Sequence, residues 1–299
     1  MCGIVGLFTK NARLEPQLGA LLSAMLVDMG ERGSDSTGVA IYKDQVSQPA
    51  MKLTLFHPAT NYDWTRLGEI VTKNFGGKVN LSIRTNHAII TVMEQLDVIK
   101  RWMHQQFPDV RLMSAGDTIE IYKEIGTAAD FVEHFNLHEL HGTHALGHTR
   151  MATESAVTTE HAHPFSTGLD LCLVHNGSLS NHNRLRQQLQ RKGIEFETDN
   201  DSEVAAGYLT WQLSQGATLD QALESALKDI DGFYTFAIGT RDGFAVLRDP
   251  IACKPAVMAE TDDWVAVASE FRTIAHLPNA ENARIWEPAP ATIYSWHRT

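Results

Sequence analysis

The chain has little that would tie it to an oxidising compartment, a membrane or a polyanion. Three cysteines occur in 299 residues, at 2, 172 and 253, too few and too scattered for a disulfide framework or a zinc site built on CxxC pairs. Positive charge is scarce as well. Lys plus Arg number 25 against 36 Asp plus Glu, a formal charge of −11 with no basic block, so nucleic acid is not an expected partner. Apolar runs such as 88–93 and 244–247 are strand-sized, far short of the roughly 20 residues of a membrane-spanning helix. The start MCGIVGLFTKN has neither the charged nor the apolar region of a secretion signal. A cytoplasmic protein with no membrane partner is expected. Internal repeats, low-complexity tracts and Gly-Ser or Pro-rich linkers are missing too. What is present is 43% hydrophobic content, ample for a buried core.

Residues 2–8 read as a buried strand starting at the second residue, which is unusual because termini normally fray. Leu14, Leu18, Leu22, Met25, Leu26 and Met29 repeat at helical spacing, so the pattern predicts a helix over 15–30 ending at Gly30. A polar turn, Arg32-Gly33-Ser34-Asp35-Ser36-Thr37-Gly38, leads into a strand at 39–42. From about 44 to 141 the pattern is mixed, with helices at 62–74, 94–107 and 128–136, strands within 79–92, 110–113 and 118–124, and no chemical motif. Beyond it, strands are expected at 145–150 and 169–175 and helices at 183–192, 202–213 and 218–230. Strands at 233–239, 244–248, 264–269 and 292–296 close the chain. Strands at both ends with helices between them imply sheets that pair residues remote in sequence. The expectation is a layered α/β architecture over 2–299, one unit with an insertion at about 44–141.

Cys2 carries the first chemical signal. A small residue at position 2 favours removal of Met1, which would leave a thiol and a free α-amine on one carbon. With reference pKa values of about 8.5 for the thiol and about 7.7 to 8.0 for the amine, the amine can take the thiol proton near neutrality. For a cysteine elsewhere, small-residue packing would be the better reading. In Leu173-Val174-His175-Asn176-Gly177 a buried strand runs into Asn-Gly, a pair that offers a side-chain amide and an unhindered backbone N–H as oxyanion donors. In isolation Asn-Gly is more often a hairpin turn. Gly147-His148-Thr149-Arg150 ends a strand on a guanidinium that can clamp a carboxylate or make a surface ion pair. Thr198-Asp199-Asn200-Asp201-Ser202-Glu203 places acids at a helix start, where they cap the helix or grip an ammonium. Five closely spaced histidines, His134, His138, His141, His144 and His148, lack the HExxH order, and no metal is expected there.

CGIVGLF, RGSDSTG, GHTRMAT, HNG and TDNDSEV, in that order, resemble the class II glutamine amidotransferases. The resemblance covers 2–42 and about 142–250 and implies an N-terminal nucleophile (Ntn) hydrolase fold, a four-layer αββα sandwich with mainly antiparallel sheets. Residue by residue it implies Cys2 as the nucleophile and Asn176 with the Gly177 N–H as the oxyanion hole. Arg150 and Thr153 would hold the substrate α-carboxylate, Asp201 its α-ammonium, and Arg32 would order the cysteine end. Ser34, Met151 and Glu154 depart from residues common in the family.

No metal or organic cofactor in this chain is implied, and glutamine, or glutamate, is the small-molecule substrate. No phosphate loop, dinucleotide fingerprint or iron–sulfur cysteine set is present, so the acceptor site is expected on another polypeptide. In plan the chain is similar to the stand-alone amidotransferase subunit of glutamate synthase-like enzymes, the N-methylglutamate synthase type. Separate synthase subunits carrying FMN and iron–sulfur clusters are the implied partners, in a hetero-oligomer, with the 44–141 stretch as the docking surface. An independent amidohydrolase acting on another γ-glutamyl amide and a non-catalytic regulatory subunit remain as alternatives.

Overall fold

The computed structural model describes residues 2–76, 80–152 and 156–298. Its strands run β1 (Gly3–Thr9), β2 (Ser36–Tyr42), β3 (Met51–Phe56), β4 (Leu81–Arg84), β5 (His87–Val92), β6 (Arg111–Gly116), β7 (Ile119–Ile125) and β8 (His144–Arg150). They continue as β9 (Cys172–Leu179), β10 (Gly232–Thr240), β11 (Gly243–Arg248), β12 (Val257–Glu260), β13 (Trp264–Ala268), β14 (Arg284–Trp286) and β15 (Thr292–His297). The helices are α1 (Leu18–Met29), α2 (Trp64–Phe75), α3 (Leu96–Gln106), α4 (Ala128–His134), α5 (His182–Gln190), α6 (Asp201–Ser214), α7 (Leu219–Asp229) and α8 (Phe271–Ile274).

Two sheets stack face to face. One has seven strands in the order β14-β12-β13-β1-β8-β2-β7, the other four in the order β15-β11-β10-β9. Their ladders are antiparallel throughout. Alternation along β1 explains the stacking. Val5 and Leu7 face a core shared with α1, α4 and α8, while Ile4 and Phe8 face the space between the sheets. β9 does the same in mirror image. Cys172 and Val174 join the inter-sheet core, and Leu173 packs under α5, α6 and α7. Helices, sheet, sheet and helices thus form four layers, as the Ntn resemblance implies.

The 44–141 stretch, read as one insertion, divides into two. Residues 51–116 build a third antiparallel sheet, β4-β5-β3-β6, with its own core against α2 and α3. β7 instead pairs with β2 in the large sheet, and α4 packs into the core of α1. The insertion proper therefore ends before β7. The strands expected within 79–92 form a β4–β5 hairpin. Strands β3, β12 and β14, absent from the sequence reading, are short and complete the sheets. The helix expected over 15–30 starts later. Pro16 sits in a 3₁₀ turn, Ala12–Gln17, and the α-helix proper begins at Leu18.

Candidate active site

Because β1 is buried on both faces between β13 and β8, it holds the half-buried Cys2 at the end of the sheet beside the last residues of β8. Three groups meet it there. Arg32 Nε donates to the Cys2 carbonyl at 3.1 Å, Asn176 Nδ2 donates to the same oxygen at 3.3 Å, and the Sγ lies 3.7 Å from the Met151 carbonyl. Arg32 is itself fixed by Glu270, whose carboxylate is 2.7 Å from its NH1 and 2.8 Å from Arg272 Nε. The Arg32 hydrogen bond, with Arg272 nearby, holds the Glu270 carboxyl below its ordinary range.

Asn176 and Gly177 are not a turn. The strand expected to stop at 175 runs on to Leu179, with Asn176 opposite Thr235 and Gly177 opposite Tyr234 of β10. Gly177 has φ 153°, and a Cβ there would strike the Phe233 carbonyl oxygen and the His175 ring. Only glycine leaves this backbone open next to Asn176.

Arg150 ends β8 almost wholly buried, with NH1 donating to the Ala156 carbonyl at 3.0 Å. Burial pulls its guanidinium below the ordinary arginine value, against the opposing pull of Cys2, Asp35, Asp199 and Asp201. The turn after α1 closes on it, for a Cβ on Gly33 would fall against the Arg150 backbone. Asp35 Oδ2 accepts the Ala152 N–H at 2.7 Å. Asp201 opens α6 just after its cap, Asn200, whose side chain accepts from Ser202 N at 2.8 Å. Its Oδ2 accepts the Leu179 N–H at 2.9 Å and its Oδ1 lies 3.7 Å from His175 Nδ1. Cys2, Arg32, Arg150, Asn176, Gly177 and Asp201 thus come together. Thr153 and Glu154 lie outside the described residues.

Behind the site lies a buried polar layer that sequence reasoning did not assign. Ser202 Oγ is 2.8 Å from both His163 Nε2 and His175 Nδ1, and His148 Nε2 donates to the His175 carbonyl at 3.0 Å. Burial lowers all three imidazoles, His148 to about 3, so they stay neutral and act as rigid supports for β9 and the α6 start. His175 and Ser202 belong to the HNG and TDNDSEV segments, so their motifs were visible although their role was not. Glu270 had no signal, being 238 positions from Arg32. The other clustered histidines disperse: His134 pairs with Glu124, His141 with Asp44, and His144 donates inward to the Thr240 carbonyl. Among the described residues no group of three or more His, Cys, Asp or Glu is placed to hold a metal. No described helix is long and apolar enough to cross a membrane.

The stacked sheets match solved structures of the Ntn amidotransferase type. Glutamine phosphoribosylpyrophosphate amidotransferase from B. subtilis superposes with TM-score 0.62 at 19% identity, over 99% of this chain and 49% of that one. The structure described as the allosteric regulatory enzyme of purine biosynthesis gives 0.65 at 20% identity, over 99% and 47%. The chain therefore spans about half the length of these enzymes, and at such identities they define its fold. Sequence carries the assignment further. A glutamine amidotransferase domain family matches residues 148–276. The glutamine amidotransferase-like protein GlxB of Rhizobium meliloti (strain 1021) is 54% identical over 297 residues, 99% of this chain and 98% of that protein. The chain belongs to the glutamine amidotransferase family, and its fold is that of the Ntn amidotransferases.

Proposed function

We propose that this chain hydrolyses the amide of glutamine at Cys2 and passes the ammonia to a partner synthase. With Met1 removed, the α-amine of Cys2 takes the thiol proton as Sγ adds to the amide carbon, and the oxyanion sits between Asn176 Nδ2 and the Gly177 N–H. The amine returns the proton to the leaving nitrogen and ammonia departs, leaving a glutamyl thioester. Water then adds, the thiol is regenerated and glutamate leaves. Arg150 holds the substrate α-carboxylate, and Asp201 holds the α-ammonium. Arg32 keeps the Cys2 carbonyl turned away from the thiol.

One observation carries this reading. The Asn176 amide and the Arg32 guanidinium both bond the Cys2 carbonyl, so the cysteine is oriented beside an oxyanion donor. The acceptor enzyme is a separate polypeptide, a glutamate synthase-like partner of the N-methylglutamate synthase type bearing FMN and iron–sulfur clusters, a reading supported by this chain's similarity in plan to the stand-alone amidotransferase subunit of such enzymes. The test has two parts. Intact mass should show Met1 absent, and a glutamine-like electrophile, 6-diazo-5-oxo-norleucine, should add once, on Cys2. Cys2→Ala should fold normally and lose glutaminase turnover by at least about 10³-fold. Full turnover in that variant defeats the proposal.

A further inference from the structure

Between the third sheet and the amidotransferase layers runs a polar crevice separate from Cys2. It consists of two adjoining cavities of about 730 and 690 Å³ that share Lys100, Arg111, Glu160 and Glu197 in their walls. Either volume is within the range of small-molecule sites, roughly 300 to 1,000 Å³. α3 and β6 supply one wall, and the turn leading into α6, with Thr198 and Glu203, supplies the other.

Lys123 is the distinctive group. It is 4% exposed, and its Nζ donates to the Ala162 and Glu160 carbonyls at 2.9 and 3.3 Å. The Phe165 ring lies 4.9 Å from the Nζ. Two of the three ammonium N–H groups are therefore used, both on neutral oxygens. Among the described residues no carboxylate lies within ion-pair distance of it, although Glu203, Glu197 and Glu160 are close enough to raise its pKa against burial. Burial brings that pKa to about 8, so the charge persists at neutral pH. Burying an ammonium without a counter-ion is costly, and here it lines an open cavity. Arg111 adds a second cation, its NH1 donating to the neutral Pro108 carbonyl at 2.8 Å.

Across from these cations stand carboxylates. Glu203 is committed to the turn, accepting from Glu197 N and Thr198 N at 2.8 Å each. The Glu197 carboxyl, nearly half exposed and 4.0 Å from the Lys100 Nζ, faces the same crevice. A plain anion would meet these acids and a plain cation would meet Lys123. A ligand carrying both signs satisfies each wall.

We infer that the crevice is a second, non-catalytic binding site for a free acidic α-amino acid, its α-carboxylate on Lys123, its ammonium toward Glu197 and Glu160, and its distal carboxylate toward Arg111. The site uses none of the groups assigned to the glutaminase reaction.

L-glutamate is the probe, titrated calorimetrically into the full chain before and after treatment with 6-diazo-5-oxo-norleucine. Two equivalents should bind before treatment and one after. Lys123→Met should weaken the remaining equivalent at least about tenfold, with the glutaminase rate unchanged. Arg111→Gln, on the more open wall, should weaken it too and serves if Lys123→Met does not fold. A single equivalent abolished by the electrophile overturns the inference and leaves the glutaminase reading standing. Equal competition by inorganic phosphate or by N-acetylglutamate also overturns it, since neither carries the ammonium. A Lys123-dependent equivalent in a protein whose Cys2 the electrophile does not touch supports the crevice and defeats the glutaminase reading.

Discussion

At Gly177 the backbone holds φ 153° with the Phe233 carbonyl where a side chain would begin. Gly177→Ala must therefore part β9 from β10 or bend both, at a cost of about 1 to 3 kcal/mol. A lowered melting temperature and a fall in kcat well beyond the stability loss are expected, because the proposed oxyanion donors, Asn176 and the Gly177 N–H, move with the strand. Asp201 calls for a subtler change. Alanine would orphan the Leu179 N–H that its carboxylate accepts, confusing support with substrate binding. Asp201→Asn keeps an oxygen for that N–H and removes only the charge. Its expected signature is a KM for glutamine raised by about 10- to 100-fold, the value of one charge-assisted hydrogen bond, with kcat much less affected. Cys2, Arg150 and Asp201 were singled out as candidates from motif residues because chemistry restricts their type. The packing that decides between these variants was not, since Phe233 and Leu179 carry no mark in the sequence.

Among the elements, the turn after α1, which holds the Cys2 carbonyl, is tied to the loop after β13 by an ion pair, Arg32 with Glu270 at 2.7 Å. The pair is partly solvated and stabilises the fold by no more than about 1 kcal/mol. Its effect is on placement. Glu270→Gln should leave the melting temperature within a few degrees and lower kcat several-fold as the Cys2 carbonyl loosens, measured as steady-state glutamine hydrolysis. The sign in pH follows from Glu270 being depressed in the folded state. The contribution is present above the ordinary carboxyl range and is lost as pH falls through the lower folded value. Elements buried on two faces, β1, β8 and β9, read as buried strands, and α7 declared itself by a one-sided apolar stripe. β12 and β14 are too short to show a period, at four and three residues. The Asn-Gly pair misleads locally because β10 continues alongside it, a partner more than 50 residues away that no local signal reveals.

Over the whole molecule, buried neutral histidines set the acid limit. His87, His144 and His148 are each brought to about 3 by burial. Unfolded, each takes a proton near pH 6.5, while the folded ring stays neutral down to about 3. The unfolded state therefore binds more protons within that window, and stability falls as pH drops through it. Each ring contributes a slope of about 1.4 kcal/mol per pH unit well below 6.5. Urea midpoints measured from pH 7 to 4.5 should decline steeply, and His144→Gln should flatten the decline by close to one ring's share. A flat profile would show that these rings reach solvent. The fold class followed from motif order, but the division of the 44–141 stretch did not. Nothing in residues 119–125 announces that they return to pair with β2.

The central place of β1 also orders events during synthesis. Its ladder partners are residues 144–149 on one side and 264–268 on the other. A nascent chain can pair β1 with β8 once residue 150 has emerged, but β1 stays an edge strand until β13 follows. A product that stops before β13 would therefore carry the Cys2 thiol on an open sheet edge, and the proposed glutamine hydrolysis is expected only once β13 has docked.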